Sequence, residues 1–234
     1  MPSDAYQASL MPVWLNEFNY KKIAVIYEKN DWGVALKDEF SKDIKSINGE
    51  IVFLESIDEN QKDFKNVISK LMKVVDQCDA IYIPVYTVEG GLLIKQLKEF
   101  KIHKPIFGAD MFANQLLLDT GGDAVEGVMF LAPSQYTGPE YSKFAESYKT
   151  KFNKEPDLSV CAGFDAMSII MLALKDLINE GKEITTDNIK SYLYSSIDFG
   201  GATGKTKFDK NGDPVSKTFA RRIIKDGKIF EYNK

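Results

Sequence analysis

The sequence has few of the residues that metal-dependent and nucleophilic catalysis require. Among 234 residues there is one histidine, His103, and it lies in a lysine-rich stretch. The two cysteines, Cys78 and Cys161, are too few for a disulfide framework and lack metal-site spacing, so we expect two buried thiols. No serine or cysteine has a recognisable nucleophile setting. The sequence therefore disfavours a metal-dependent hydrolase and a triad enzyme, and we expect no enzyme activity, no cofactor and no metal.

Long apolar runs and an excess of basic residues are also absent. No apolar run approaches the roughly 20 residues that a membrane-spanning helix needs, and the start lacks the order of a signal peptide. The formal net charge is -4, and the short basic stretches are interleaved with acidic residues. We therefore expect neither a direct membrane span nor a nucleic-acid partner.

What the sequence does contain, from Lys21 onward, is an alternation of short β-branched runs with amphipathic segments. The runs are Ile23–Tyr27, Ile51–Glu55, Ala80–Pro84, Pro105–Gly108 and Gly127–Leu131. A strand, a helix and a second strand in this order form the unit of a doubly wound parallel α/β sheet. The predicted helices between the runs include one at about Val34–Ile47 and one that Asp63 caps.

Beyond Leu131 the period changes. Residues 132–139 are rich in proline and glycine and are typical of a connection between domains. Three helices are predicted next, at about Glu140–Phe152, Val160–Asn179 and Thr186–Tyr194, with no strand between them. The last part of the chain is antiparallel in character, with Asp226-Gly227 as a tight turn.

Polar or aromatic residues follow several of the predicted strands. They are Glu28–Gly33, Tyr86-Thr87 and Gly108–Asp110. Because the carboxyl ends of parallel strands share one edge of the sheet, ligands bind in the crevice outside that edge. The pattern predicts a binding edge with an aromatic pair and one carboxylate.

Several segments together resemble type I periplasmic solute-binding proteins, and more narrowly the branched-chain amino acid class that feeds ABC importers. The resemblance is collinear over nearly the whole chain. It rests on Pro2-Ser3-Asp4-Ala5-Tyr6-Gln7, Ile23–Tyr27 running into Asn30-Asp31-Trp32-Gly33, Lys62-Asp63-Phe64, Phe107-Gly108-Ala109-Asp110, Gly121–Val128, Phe164-Asp165-Ala166 and Thr203–Asp209.

The resemblance also implies how the chain is organised. Family members have two lobes that close on a ligand, and this chain starts at about the first crossover between them. Residues 1–132 are then a nearly complete second lobe, residues 139–214 a helical remnant of an incomplete first lobe, and residues 218–234 strands that return to the second lobe. We interpret Met1-Pro2 as a truncated or engineered start, which would explain the missing export signal.

The resemblance assigns ligand contacts to a few residues, each with a structural alternative. Asp110 aligns with the second-lobe acid that contacts the α-amino group, but it could instead cap the short helix near Phe112. Trp32 offers a wall for an apolar side chain or a cation–π contact, or it packs on the following helix. Tyr86, with Thr87 as a weaker companion, could donate to a carboxylate or be a half-buried residue at a strand end.

The predicted function is the solute-binding component of an ABC importer for branched-chain or other apolar amino acids. The intact protein would be periplasmic or extracellular and surface-anchored, with the transporter permease as its partner. The alternatives are a sensor or receptor domain of the same fold, or a truncated lobe that binds nothing by itself. A Rossmann-type enzyme is disfavoured, because the segment after Tyr27 lacks Gly-x-Gly-x-x-Gly. The helices after residue 139 also predict a possible homo-oligomer.

Overall fold

The computed structural model describes residues 2–195 and 197–233, so Met1 of the predicted truncated start lies outside the described residues. The chain divides into two compact units. The sheet unit comprises Asp4–Ala132 and Phe219–Lys234. The helical unit comprises Met1–Ser3 and Pro133–Thr218.

The sheet unit alternates helices and strands as the sequence predicts. In chain order its elements are α1 (Asp4–Glu17), β1 (Lys22–Glu28), α2 (Asp31–Asp43), β2 (Glu50–Ile57), α3 (Lys65–Leu71), β3 (Ala80–Ile83), α4 (Thr87–Glu99), β4 (Ile106–Gly108), α5 (Gln115–Gly121) and β5 (Met129–Pro133). Two strands that follow the helical unit in the chain, Phe219–Lys225 and Lys228–Glu231, complete the sheet.

In the part that the structure describes, the helical unit contains three helices and a small hairpin. They are α6 (Pro139–Phe152), α7 (Leu158–Asn179), α8 (Thr186–Ser195), β6 (Phe199–Gly201) and β7 (Gly204–Thr206). The helices begin and end within two residues of the predicted positions. Strand β6 was not predicted, because Phe199-Gly200-Gly201 lacks the β-branched residues typical of strands.

Among the described residues the large sheet has seven strands, in the order β2-β1-β3-β4-β5-β8-β9, where β8 is Phe219–Lys225 and β9 is Lys228–Glu231. Strand β1 pairs in parallel with β2 and β3, and β3, β4 and β5 continue the parallel run. Strands β8 and β9 are antiparallel, and Asp226 and Gly227 between them have φ of 49° and 65°, as a tight hairpin turn requires. The predicted doubly wound α/β sheet is confirmed.

Apolar residues on alternate positions of the strands bury both faces of this sheet. On β1, Ala24 and Ile26 belong to one core cluster, which α3, α4 and α5 cover. Ile23 and Val25 belong to the opposite cluster, which α1 and α2 cover and which contains the fully buried Trp14. A fully buried large apolar side chain stabilises the fold by about 1.5–3 kcal/mol, so the two clusters hold the strand ends in fixed positions.

Two helix starts differ from the sequence prediction. Helix α2 begins at Asp31 and not near Val34, because the Asn30 side chain accepts a hydrogen bond from the backbone N–H of Gly33 at 2.8 Å. Helix α3 begins at Lys65 with Phe64 in the cap position, while Asp63 accepts from the Lys65 N–H at 3.0 Å. The earlier start of α2 matters for function, because it places Trp32 in the first turn of a helix.

A buried carboxylate holds the hairpin of the helical unit to α7. Asp165 is 3% exposed and accepts hydrogen bonds from the backbone N–H of Ala202 at 2.8 Å and of Thr203 at 2.7 Å. The hydroxyl of Thr203 donates to the same carboxylate, and the buried Lys217 ammonium donates to the Thr203 carbonyl. This network explains how a glycine-rich hairpin is kept in place.

Helix α7 has one face that packs within the helical unit and one that does not. Its buried residues recur at every fourth position and are Cys161, Asp165, Ile169, Ala173 and Leu177. Its exposed apolar residues include Phe164, Met167, Met171 and Ile178. The prediction that no segment is apolar enough to span a membrane is wrong for α7 by length and composition, since its mean hydropathy reaches 1.6 over 18 residues. Single charged residues such as Asp165 interrupt the apolar run of α7, so a search for uninterrupted apolar runs does not find this helix.

Candidate functional site

The candidate site lies where the strand order of the sheet reverses direction. Strand β2 lies on one side of β1, and β3, β4 and β5 follow on the other side, so the direction of the strand order changes at β1. In open α/β sheets this switch point leaves a crevice at the carboxyl ends of the two central strands. Trp32 follows β1 and Tyr86 follows β3, so both lie at that crevice.

Trp32 and Tyr86 form the aromatic pair that the sequence predicts at this edge. Their rings stack with centroids 5.2 Å apart and an angle of 28° between their planes. Both residues are partly exposed, so the stacked pair presents a continuous apolar surface to solvent. Burial raises the pKa of the Tyr86 hydroxyl, and the charge of Glu28 raises it further.

Glu28 fixes the loops that carry the two rings, and sequence reasoning missed its role. Its side chain is buried, and its carboxylate accepts a hydrogen bond from the backbone N–H of Tyr86 at 2.6 Å. Burial raises the pKa of Glu28, and the Tyr86 N–H partly opposes that rise. A charged residue closing an otherwise apolar strand was the available signal.

Gly33 allows the first turn of α2 to approach the end of β1. A Cβ atom built on Gly33 would lie 2.3 Å from the backbone carbonyl oxygen of Glu28, a distance that real Cβ atoms essentially never show. Because the obstacle is backbone, it cannot rotate away. Gly33 therefore sets the position of the neighbouring Trp32.

Thr87 is buried at the start of α4. Its hydroxyl donates to the backbone carbonyl of Met111 at 2.7 Å. Met111 belongs to the short 3₁₀ turn Asp110–Phe112 that follows β4. The contact therefore ties the start of α4 to the turn that carries Asp110, whose carboxylate is predicted to contact the ligand.

Asp110 lies at the first position of that 3₁₀ turn, at the same edge of the sheet. Its Oδ1 atom is buried without a hydrogen-bond partner among the described residues. Burial raises the pKa of Asp110, while the Gln7 amide and the backbone N–H groups of Asp110 and Met111 oppose the rise. The side-chain cap of the next helix is Asn114, which accepts from the Leu116 N–H at 2.9 Å. A helix-capping role for Asp110 is thus limited to its own short turn.

The start of α1 adds two polar side chains that the sequence did not single out as site residues. Gln7 is 1% exposed and approaches Asp110, and Asp4 interacts with the Trp32 side chain. Burial raises the pKa of Asp4, the charge of Asp110 raises it further, and the Trp32 contact opposes this. The spacing Asp4-x-x-Gln7 at a helix start was the only sequence signal.

The edge combines negative charge with an aromatic surface. Among the residues that the structure describes, Asp4, Glu28 and Asp110 form no ion pair. Carboxylates in a partly dry site attract a cation such as an ammonium group, with which they form strong charge-assisted hydrogen bonds. The aromatic pair next to them suits an apolar group or the face of a cation. Chemically, the arrangement fits a small ligand with an ammonium group and an apolar part.

Comparison with known proteins gives a consistent family. Residues 1–220 match the family described as the receptor family ligand binding region. The chain is 24% identical to the leucine-, isoleucine-, valine-, threonine- and alanine-binding protein of Pseudomonas aeruginosa over 82% of this chain and 50% of the relative. It is 24% identical to the Leu/Ile/Val-binding protein BraC3 of Rhizobium johnstonii over 92% of this chain and 57% of the relative.

Solved structures agree with the sequence relatives. The leucine-binding protein LivK of Thermotoga maritima superposes with a TM-score of 0.84 and 26% identity, over 98% of this chain and 65% of that one. The substrate-binding protein LivJ of Streptococcus pneumoniae in complex with isoleucine gives a TM-score of 0.75 and 25% identity, over 98% and 66%.

The chain spans 50% and 57% of the length of the two relatives named above, and about two thirds of the solved chains. These relatives are binding proteins, in agreement with the prediction that the chain is not an enzyme. With a family match over most of its residues and a shared fold over nearly all of them, the chain belongs to the receptor ligand-binding family and has the type I periplasmic binding-protein fold.

Proposed function

We propose that this chain is part of an extracytoplasmic solute-binding protein that delivers branched-chain or other apolar amino acids to an ABC importer. The single observation that carries the proposal is the edge at the switch point. There a half-buried carboxylate without a cationic partner among the described residues stands beside a stacked aromatic pair. The names of the relatives, which include leucine- and isoleucine-binding proteins, support the same ligand class.

In this proposal each side chain at the edge has a separate role. Asp110 accepts hydrogen bonds from the ligand ammonium, and Trp32 with Tyr86 forms a wall for the apolar side chain of the ligand. Thr87 acts mainly through its bond to the Met111 carbonyl, which keeps the Asp110 turn in place. Glu28 holds the loop of Tyr86 and does not contact the ligand.

The two units correspond, in our proposal, to the two lobes of the intact protein. Residues 1–132 and 218–234 form the second lobe, and residues 139–214 belong to the first lobe. In the intact protein a bound ligand would bridge both lobes and shift a hinge equilibrium toward the closed form that the permease recognises. The intact protein would act in the periplasm or at the outer cell surface.

The helical unit supports the view that part of the first lobe is missing here. Between α6, α7 and β6 lies an aromatic groove of about 670 Å³, lined mainly by Phe144, Tyr148, Phe152, Phe164 and Phe199. The rings of Phe144 and Phe164 stack 4.3 Å apart, and Phe164 remains 48% exposed. Exposed apolar surface costs about 25 cal/mol per Å², so this face favours either a missing segment or a second copy of the chain.

The test is calorimetric titration of leucine, isoleucine and valine into the chain, alone and with a separately produced first-lobe segment. We expect affinity weaker than micromolar for the chain alone, because the first-lobe groups that would hold the ligand carboxylate are lacking. Micromolar affinity, about 8 kcal/mol, for the chain alone would contradict this part of the proposal. No binding of any of the three amino acids in either condition would contradict the binding function itself.

A matched pair of variants makes the test specific. If the added segment restores binding, Asp110→Asn should weaken it by about 1.5–3 kcal/mol, the usual range for a hydrogen bond to a charged group. Asp119→Asn is the control, since Asp119 is exposed on α5 and bonds only to Gln115 among the described residues. Equal affinities of the two variants for the amino acid would show that Asp110 does not contact the ligand.

A further inference from the structure

The first turn of α1 buries an amide that folding alone does not require. Gln7 is 1% exposed, and neither polar atom of its side chain makes a hydrogen bond of standard geometry with a described residue. A buried polar group without good partners is unfavourable for stability. An apolar side chain of the same length would fit the surrounding core better, so the glutamine needs another explanation.

The packing of α1 brings this turn to the candidate site. Ala8, next to Gln7, is fully buried in a small cluster with Leu36 and Ala109, and Trp32 packs against the same cluster. Alanine at positions 8 and 109 allows the helix to approach the end of β4 closely. Ala109 precedes Asp110 directly and Ala8 follows Gln7 directly, so Gln7 lies next to the Asp110 carboxylate.

Resting on the proposed function above, we propose that the first turn of α1 positions a ligand contact: Gln7 orients the Asp110 carboxylate. In this scheme the Gln7 amide lies against the Asp110 carboxylate, and the remaining lone pairs of that carboxylate accept from the ligand ammonium. Gln7 is a positioning residue in this scheme, because the ligand contact that we propose is made by Asp110.

The charged and titratable groups around Asp110 come from two further elements. Asp4 on α1 and the hydroxyl of Tyr82 on β3 both interact electrostatically with it. Tyr82 is fully buried, and its hydroxyl has no hydrogen-bond partner among the described residues. Gln7 is uncharged, so replacing it by methionine removes a donor to Asp110 without adding a charge.

The first experiment needs no ligand. The Asp110 carboxyl group is titrated by ¹³C nuclear magnetic resonance in the wild-type chain, in Gln7→Met and in Gln7→Glu. We expect a higher pKa of Asp110 in Gln7→Met and a still higher one in Gln7→Glu. The control is Gln96→Met, because Gln96 on α4 bonds to the Phe64 N–H and the Lys62 carbonyl. That control should lower stability and leave the Asp110 titration unchanged.

The second experiment uses leucine and asks whether Gln7 acts through Asp110. In the wild-type background Gln7→Met should weaken leucine binding about tenfold, which is 1.4 kcal/mol. In the Asp110→Asn background the same substitution should change leucine binding less than twofold, since residues that act as a unit are not additive. Equal effects in the two backgrounds would overturn the proposal.

The two experiments separate failure of this inference from failure of the proposed function. A raised pKa of Asp110 in Gln7→Met, without leucine binding either by the chain alone or with the added first-lobe segment, would support the positioning role and contradict the amino acid function. An unchanged pKa of Asp110 in both Gln7 variants would overturn the positioning role of Gln7, whether or not leucine binds.

Discussion

Gly33→Ala should destabilise the sheet unit and displace Trp32 from its stack with Tyr86. The added Cβ would lie 2.3 Å from the carbonyl oxygen of Glu28, which itself accepts from the Asn30 N–H at 3.0 Å. Relief requires the start of α2 to move away from the strand end, and overpacking of this kind costs about 1–3 kcal/mol. Because the obstacle is backbone, we expect the upper part of that range. Alanine returns up to about 1 kcal/mol through its better helix propensity, so the net loss should be about 2 kcal/mol.

The assay is urea unfolding followed by tryptophan fluorescence and far-ultraviolet circular dichroism. The only tryptophans, Trp14 and Trp32, both lie in the sheet unit, so the fluorescence reports that unit. The control is Gly163→Ala in α7, where an added Cβ meets nothing within 4 Å and should stabilise the helix by about 0.5–1 kcal/mol. If Gly33→Ala is neutral or stabilising, and the Trp32–Tyr86 dichroism is unchanged, the reasoning about this close approach is wrong.

Three further outcomes are expected. Because burial raises the pKa of Asp110, its charged form opposes folding; Asp110→Asn should therefore stabilise the free chain by about 0.5–2 kcal/mol at neutral pH. That gain should shrink as the pH falls through the folded-state pKa of Asp110. Thermal unfolding at several pH values measures the gain, and a gain that stays constant with pH would contradict this. Asp165→Asn should destabilise the helical unit by about 1–3 kcal/mol, since one of its two backbone N–H donors loses its acceptor; dichroism-monitored unfolding with no change would contradict this. The chain should self-associate at micromolar concentration through the exposed face of α6 and α7. The double substitution Phe164→Ser with Met167→Gln should weaken this self-association. Sedimentation that shows a compact wild-type monomer, together with no binding of a hydrophobic dye, would refute the prediction.

The fold could be predicted from the sequence because its central strands β1, β3, β4 and β5 are buried on both faces. Runs such as Ile23–Tyr27 read as strands without reference to tertiary structure, and the helices between them have clear apolar stripes. A parallel sheet then forces the ends of β1, β3 and β4 to one edge. For that reason Trp32, Tyr86 and Asp110 could be grouped before their positions were known.

The supporting residues could not be predicted in the same way. Gln7 and Asp4 reach the site from a helix that precedes β1, and helical periodicity does not tell how such a helix rotates against its neighbours. Glu28 reads as an ordinary strand end until its bond to the Tyr86 N–H is seen. The sequence predicts Thr87 as a weaker ligand contact, and it gives no signal for the bond from the Thr87 hydroxyl to the Met111 carbonyl.

The start of α2 illustrates a local competition that sequence patterns resolve poorly. The residues Asn30-Asp31-Trp32-Gly33 are typical of a loop, and the apolar stripe of the helix begins only later. The side chain of Asn30 nevertheless caps the helix and draws these residues into its first turn. As a result Trp32 is held more rigidly than a loop residue would be.

The measurement that tests the central claim most directly is a nuclear magnetic resonance titration of the chain with leucine and with 4-methylpentanoate, which lacks the ammonium group. At millimolar concentration leucine should shift the Trp32 indole and the Asp110 carboxyl signals, whereas 4-methylpentanoate should leave the Asp110 signal in place. Leucine should also lose its effect on the indole in Asp110→Asn. Equal shifts from the two compounds, or shifts confined to the aromatic groove of the helical unit, would contradict an ammonium-binding site at the switch point.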